Sequence, residues 1–321
     1  MAAIVTLTMN PALDIATATE RVEPAHKLRC TVPRYDAGGG GINVARAVHA
    51  LGGEALAIFP AGGAAGETIG HLLNQEGVAY QTVAIAGFTR ESLAVEERRT
   101  GNQYRFILPG PEIGPADQER CLEALSAAAP RAAYIVASGS LPLAVPDDFY
   151  ARVATLAKRH GKRLVLDTSG AALKQAGQGV YLLKPSLREL EQLVGRELHG
   201  ARDEEAACRK VIAQDRAEIV VLSLGARGAL LVSQDESARV PAIPVEARGT
   251  VGAGDSMLAG ILVGLTRGLP LAEAVHFGMA AGAAALLGSG TQLCRLSDVE
   301  RLSAQLSLTP SRLAPGQAAP E

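Results

Sequence analysis

The sequence has no tryptophan and only five phenylalanines and six tyrosines in 321 residues. So few aromatics argue against the stacking platforms that single-stranded nucleic acids require. Basic excess is missing too. With 31 Lys and Arg against 33 Asp and Glu, the formal charge of −2 gives no electrostatic face for nucleic acid. The four cysteines, Cys30, Cys121, Cys208 and Cys294, stand at least 86 residues apart. That excludes CxxC-type metal or redox pairs and leaves free thiols as the expectation. The longest apolar stretches, 257–266 and 278–288, fall short of the roughly 20 residues of a membrane span. The opening MAAIVTLTMNPALDIA lacks a basic leader, so no signal peptide is expected and a soluble cytoplasmic protein is.

What the chain has in quantity is glycine, 35 residues with no three-residue period. Around the glycines, short apolar runs alternate with helical patterns. Strands are expected at 3–9, 55–62, 134–139, 163–168, 181–185, 218–224 and 229–233, several of them continuously apolar like strands buried on both faces. Helices are expected at 42–52, 66–77, 116–128, 146–161, 187–195 and 203–214, the fourth with Asp147 and Asp148 in its first turn. This alternation predicts an α/β doubly wound, mostly parallel sheet flanked by helices. Two regions, 14–36 and 88–108, are polar and alternating instead, the second with a hairpin around Thr100-Gly101-Asn102. They are expected to form a small separate β-sheet, a lid or dimer surface inserted in one unit spanning 1–308. The tail 309–321, rich in Pro, Ala and polar residues, is expected to be disordered.

There is no GxxxxGK[ST], and only six of the basic residues are lysines, none behind a glycine loop. Anion binding must then come from backbone amides and arginine. In GTVGAGDSMLAGILVGL (249–265), Gly252-Ala253-Gly254 precedes an apolar helical run, so free N–H groups converge at a helix N-terminus. Taken alone, GAGD is also what a capped turn looks like. As a site, its amides and Mg²⁺ would stabilise transferring phosphoryl charge while Asp255 takes the proton of the attacking hydroxyl. In YDAGGGGINVARAVHALGG (35–53), four consecutive glycines run into a helix, an arrangement suited to close approach of a polar substrate, with Asn43 as donor and acceptor. Asp14 is expected where strand one ends at the sheet's carboxyl edge. ASGSLP offers Ser138 and Ser140, and SLGARGAL has strand–turn–strand form. Arg90, Arg105, Lys27 and Arg29 fall in the polar strands and suit an anionic substrate.

In this order and at these separations, GGGGINVARA, SGSLP, SLGxxGA and GTVGAGDS resemble the ribokinase-like (PfkB) sugar kinases over roughly residues 3–305. The opening TLTMNPALD resembles the family's phosphosugar kinases, and KLRC, GGGGIN and QYRFILPG favour its 6-phosphofructokinase branch. The resemblance implies a ribokinase-like fold and ATP-dependent, Mg²⁺-assisted phosphorylation of the C1 hydroxyl of fructose 6-phosphate. It implies Asp255 as catalytic base with Gly252, Ala253 and Gly254 as anion hole. Asp14, Gly39 and Asn43 would hold sugar hydroxyls, with Arg90, Arg105 and Ser140 around the sugar and its phosphate. Lys27 and Arg29 would reach a neighbouring subunit's site through a lid-to-lid homodimer. Lys184, Ser186, Ser223, Gly225 and Gly228 would line the nucleotide, and Glu189 would act on the metal through water. Ser186 stands where the family usually has Asn, with less donor–acceptor reach. The rival readings are a kinase of tagatose 6-phosphate or fructose 1-phosphate, and a non-catalytic sugar-phosphate sensor, which would not need Asp255. An NAD-binding Rossmann enzyme fails for lack of GxGxxG after the first strand.

Overall fold

The structure, a computed structural model, describes residues 3–247, 249, 251–288 and 292–307. The tail 309–321 lies outside the described residues. In chain order the strands are β1 (Ile4–Leu7), β2 (Ala12–Thr19), β3 (Arg34–Gly38), β4 (Ala55–Ala61), β5 (Ala79–Ala84), β6 (Arg90–Glu97), β7 (Gln103–Ile107), β8 (Tyr134–Ser138), β9 (Arg163–Asp167), β10 (Val180–Leu183), β11 (Ala217–Ser223), β12 (Ala229–Val232) and β13 (Ser237–Val240). The helices are α1 (Gly40–Ala50), α2 (Gly63–Glu76), α3 (Pro115–Ala128), α4 (Phe149–Arg159), α5 (Gly170–Lys174), α6 (Leu187–Val194), α7 (Gly200–Ala213), α8 (Ala253–Thr266), α9 (Leu271–Leu286) and α10 (Leu296–Ser307).

Nine strands form the main sheet in the order β13-β12-β11-β10-β9-β8-β1-β4-β5, parallel except for the β11–β12–β13 end. All seven apolar runs are strands of it. Alternate residues of the buried strands feed two cores, one shared with α1, α2, α8, α9 and α10, the other with α3 to α7. The chain leaves β1 for β4 on one side and returns through α3 to β8 on the other. The carboxyl ends of β1 and β8 therefore flank a topological switch point, where open α/β sheets form a ligand crevice.

The polar alternating segments form the second sheet, of four strands in the order β3-β2-β6-β7, with β6 and β7 an antiparallel hairpin. Only the ends of 14–36 are strand; residues 20–33, which carry Lys27 and Arg29, are not. Asp14 accordingly is not the end of strand one but the third residue of β2 in this small sheet. Helix α4 starts three residues later than expected. Pro146 opens a turn closed by Phe149 N–H donating to its carbonyl at 3.0 Å, so Asp148 becomes the N-cap and neither aspartate lies in the first turn. Three further elements carry weak signals. β5 is a polar edge strand. β13 is a short edge strand. α9 is apolar all round because it is buried against α8, where a Cβ on Gly260 would lie 2.8 Å from the Ala281 Cβ and the Gly278 Cα. Among the described residues no helix is long and apolar enough to cross a membrane.

One ion triad with a buried carboxylate at its centre ties the β11–β13 end together. Glu204 of α7, 1% exposed, accepts from Arg227 and Arg239 at 2.7 Å each. Burial opposes its charge, but these two bonds hold the carboxyl below its usual range. Glu204→Ala is expected to lower stability by about 1–3 kcal/mol by removing two charge-assisted hydrogen bonds, while Arg227 turns to solvent and Arg239 keeps the Ala201 carbonyl. Urea unfolding reads this, and a loss below about 1 kcal/mol would mean that the triad is solvated like an ordinary surface pair.

Candidate active site

Two glycine-led helices start at the same corner of the main sheet. Gly252, at φ +78°, is the N-cap of α8, and the first bond of that helix runs from Ser256 N–H to the Gly252 carbonyl at 2.8 Å. The N–H groups of Ala253, Gly254 and Asp255 precede that bond and carry the positive end of the helix dipole. Helix α1 has Gly39, at φ +114°, as its N-cap, and the Thr8 hydroxyl beyond β1 accepts its Ile42 N–H at 2.8 Å. The helices pack side by side. Their first turns are joined where Asn43 Nδ2 donates to Asp255 Oδ2 at 3.0 Å.

Asp255 is pushed up to about 6, first by burial and then by the Asp167 carboxylate, against the opposing Asn43 bond and the Lys184 charge. Lys184 sits just beyond β10, almost fully buried, with its ammonium 3.1 Å from Asp167 Oδ2. Burial works against its charge, but Asp167, Asp255 and Glu189 outweigh that and hold it protonated. A Cβ on Gly254 would lie 3.5 Å from Lys184 Nζ, so the lysine stands beside the anion hole.

Asp167, the last residue of β9, is absent from the sequence-derived set. Its signal was a carboxylate ending the apolar run RLVLD, that is, a charge at the carboxyl edge. Beyond Lys184, Ser186 caps α6 in a capping box: its hydroxyl accepts from Glu189 N–H at 3.3 Å, and Glu189 Oε2 accepts from Ser186 N–H at 2.7 Å. One oxygen of Glu189 thus has a local partner. Ser186 also bridges to Ser223 at the end of β11, so the nucleotide-side positions continue outward from Lys184. Gly225 lies in a 3-10 turn, and Gly228 is dictated by packing, since a Cβ there would fall on the Val240 carbonyl.

The small sheet turns one face to this corner. Asp14 lies opposite Asp36 on β3 and Ser92 on β6, and Ala94 lies opposite Arg105 on β7. Arg90 starts β6 on the same face. Its Nη2 donates to the Asn10 carbonyl at 3.1 Å, while Asn10 Nδ2 donates to Ser140 Oγ at 3.1 Å, linking the small sheet to the loop after β8. Asp14 is pushed up to about 6 by burial, against Arg90 and Arg105. Farther along the same face a cavity of about 550 Å³ is lined by Ala16, Arg34, Arg105 and, from the loop before α8, Ala247 and Gly249. Lys27 and Arg29 are exposed in the 20–33 segment and touch none of these groups. The structure thus brings together Asp14, Gly39, Asn43, Arg90, Ser140, Lys184 and the 252–255 turn, with Arg105 beside Asp14, and leaves Lys27 and Arg29 apart.

Three glycines of the run have a packing reason. A Cβ on Gly38 would fall 2.2 Å from Asp14 Oδ2, on Gly40 2.3 Å from Ser138 Oγ, and on Gly41 2.6 Å from Thr8 Oγ1. These glycines admit the protein's own polar side chains against the backbone.

The match to known proteins agrees with this geometry. Residues 5–298 match the model of the pfkB family carbohydrate kinases, and the chain belongs to that family. The "ATP-dependent 6-phosphofructokinase isozyme 2" of Mycobacterium tuberculosis H37Rv is 51% identical over 314 residues, covering 98% of this chain and 92% of that one. The Escherichia coli K12 protein of the same name is 43% identical over 309 residues, 96% and 100%. A crystal structure of phosphofructokinase-2 from E. coli in complex with fructose 6-phosphate superposes with a TM-score of 0.89 at 41% identity, covering 96% of this chain and all of that one. The fold is the ribokinase-like one.

Gly40→Ala is expected to destabilise the chain by about 1–3 kcal/mol, the usual range for an overpacked site. The neighbour that must yield is in part backbone, Gly139 N at 2.9 Å. A thermal melt equal to that of the parent would show that Ser138 and the 139–140 loop move aside freely.

Proposed function

We propose that the chain transfers the γ-phosphoryl group of ATP to the C1 hydroxyl of fructose 6-phosphate, giving fructose 1,6-bisphosphate. The observation that carries the reading is the half-buried Asp255 carboxylate, held by Asn43 beside the first-turn amides of 253–255 and the Lys184 ammonium. An acid near 6 is ionised at neutral pH yet basic enough to take a hydroxyl proton as the phosphoryl bond forms. The amides of the α8 turn and Lys184 would receive the charge spread over the transferring group.

Asp14, Gly39 and Asn43 would orient the sugar, with Arg90, Arg105 and Ser140 toward its phosphate. The two relatives named for fructose 6-phosphate support this substrate over fructose 1-phosphate or tagatose 6-phosphate. On the nucleotide side, Lys184, Ser186, Ser223, Gly225 and Gly228 lie along the ends of β10 and β11. Among the described residues no three His, Cys, Asp or Glu side chains converge to chelate a cation. That donor set fits a Mg²⁺ ion carried by the ATP phosphates, with Asp167 and the second oxygen of Glu189 ordering its waters. When bound, the ion would neutralise phosphate charge. A cytoplasmic location suits an enzyme of carbohydrate breakdown with free thiols.

The small sheet would act as the lid and as a homodimer surface. On the face opposite Asp14, Tyr35, Ile15, Leu93 and Phe106 lie in one cross-strand row, and Tyr35, Leu93 and Phe106 are 45%, 37% and 53% exposed. A second copy covering that row would bring its own Lys27 and Arg29 toward the phosphosugar.

Asp255→Asn should lower kcat by about 10²–10⁴-fold while ATP and sugar still bind; turnover equal to the parent's would reject Asp255 as base. Because the ionised form is the active one, parental kcat should fall as pH drops through about 6. Asn43→Ala removes a bond to that form and should move this limb to higher pH; an unmoved limb would assign it to another group. For the dimer, Phe106→Asp should shift sedimentation toward the monomer and raise the KM for fructose 6-phosphate. A parent that sediments as a monomer at assay concentration would remove the dimer from the reading.

A further inference from the structure

Arg46 takes no part in the chemistry described so far, yet it is buried beside it and donates three hydrogen bonds. It lies on α1 one turn after Asn43 and is 8% exposed. Its Nη1 donates to the Ala37 carbonyl of β3 at 2.7 Å. Its Nε and Nη2 donate to the two carboxylate oxygens of Glu76, the last residue of α2, at 2.7 and 2.6 Å. Asp36 Oδ1 is 3.6 Å from Nη2, and Asp36 also accepts from Arg34 Nε at 2.8 Å. One side chain therefore joins three elements: the helix that carries Asn43, the end of α2, and the lid strand whose Asp36 pairs directly with Asp14. For space filling alone an apolar residue would serve, since a buried ion pair is no better than neutral for stability. A planar fork with several fixed donors suits placing one strand against one helix, and lysine cannot reproduce it.

We infer that Arg46 is a positioning residue for the reaction: it clamps lid strand β3 to helix α1, so that Asp14 and the Asn43–Asp255 pair keep one mutual geometry. The inference rests on the roles proposed above for Asp14 and Asp255. It explains why α1 is fixed at both ends of its substrate-facing turn, by Thr8 at its start and by Arg46 one turn later. It also has an electrostatic consequence. The charged groups acting on Asp14 are Arg90, Arg105, Asp36 and Arg46; the three arginines favour its ionised form and Asp36 opposes it. Loss of the Arg46 charge therefore makes Asp14 harder to ionise.

The test compares full-length Arg46→Gln, Arg46→Lys and Glu76→Gln by steady-state kinetics, thermal melting and hydrogen exchange. Arg46→Gln should raise the KM for fructose 6-phosphate about tenfold or more with the KM for ATP nearly unchanged, since displacing a positioned group acts on the ligand that it touches. Its acid limb of kcat/KM for the sugar should move to higher pH. Arg46→Lys keeps the charge and loses the fork, so it should restore the limb without restoring the KM. A folded Arg46→Gln with parental sugar KM and limb overturns the inference and leaves only a strut. Should Arg46→Gln not fold, Arg46→Lys and Glu76→Gln decide in the same way: an unchanged sugar KM in both overturns it. If the parent itself does not turn over fructose 6-phosphate, the proposed function fails by itself. The clamp is then read from hydrogen exchange at residues 34–38, where protection in Arg46→Gln equal to the parent's overturns it.

Discussion

The site depends on one contact, the hydrogen bond from Asn43 to Asp255 between the first turns of α1 and α8. Two helix N-termini meeting at one sheet corner sum their positive dipole ends, which attracts phosphate but would also repel the two helices. The Asp255 carboxylate lies between them and offsets that repulsion. The same carboxylate is then available as a base because burial and Asp167 keep it from becoming a weak one. Helix packing and the proposed proton acceptance thus fall on a single side chain, and the main-sheet topology only has to deliver α1 and α8 to the same corner.

The surrounding charges are arranged in pairs. Lys184 faces Asp167, Arg46 faces Glu76, and Arg90 and Arg105 act on Asp14. A buried charge is tolerable only with a partner, and this pairing explains how a chain with a formal charge of −2 can bind two polyanionic substrates. The cations are local and aimed. Under the proposed function, a phosphate beside Lys184 would compete with the Asp167 carboxylate already there, so binding would exchange one ion pair for another.

Much of this was legible in the sequence, for identifiable reasons. The seven apolar runs became main-sheet strands because strands buried on both faces need continuous apolar residues. The alternating polar segments became the small sheet for the complementary reason. The 252–255 turn and Asn43 stood out because glycines run directly into each helix, and because two such segments recur in one chain, although a single one is also what a capped turn looks like. Asp167 and Arg46 did not: one is a single carboxylate ending an apolar strand, a weak signal, and the other an arginine inside a helix that nothing local distinguishes from a solvated charge. Their roles arise from pairings to Lys184 and to Glu76 and Ala37, which the fold alone creates. Asp14 was expected at the end of strand one, but β1 ends at Leu7 and the chain enters β2 at Ala12, two residues before Asp14.

The small sheet has two proposed duties on opposite faces, and the pleat separates their residues by parity. Asp14 on β2, Ser92 on β6 and Arg105 on β7 face the site, while Ile15, Leu93 and Phe106 face away. A slip of one residue in any pairing would exchange the sets, placing a carboxylate in an apolar row and an isoleucine at the sugar. In so polar a sheet hydrophobic patterning holds register weakly. Gly38 supplies the missing constraint: the Asp14 carboxylate lies where its Cβ would be, and only a residue without a side chain can be met there. Arg46 fixes the adjacent Ala37 from the helix side. The first glycine of the run therefore acts as a register lock for the strand that carries the proposed sugar ligand, a role that neither flexibility nor anion binding would have required of it.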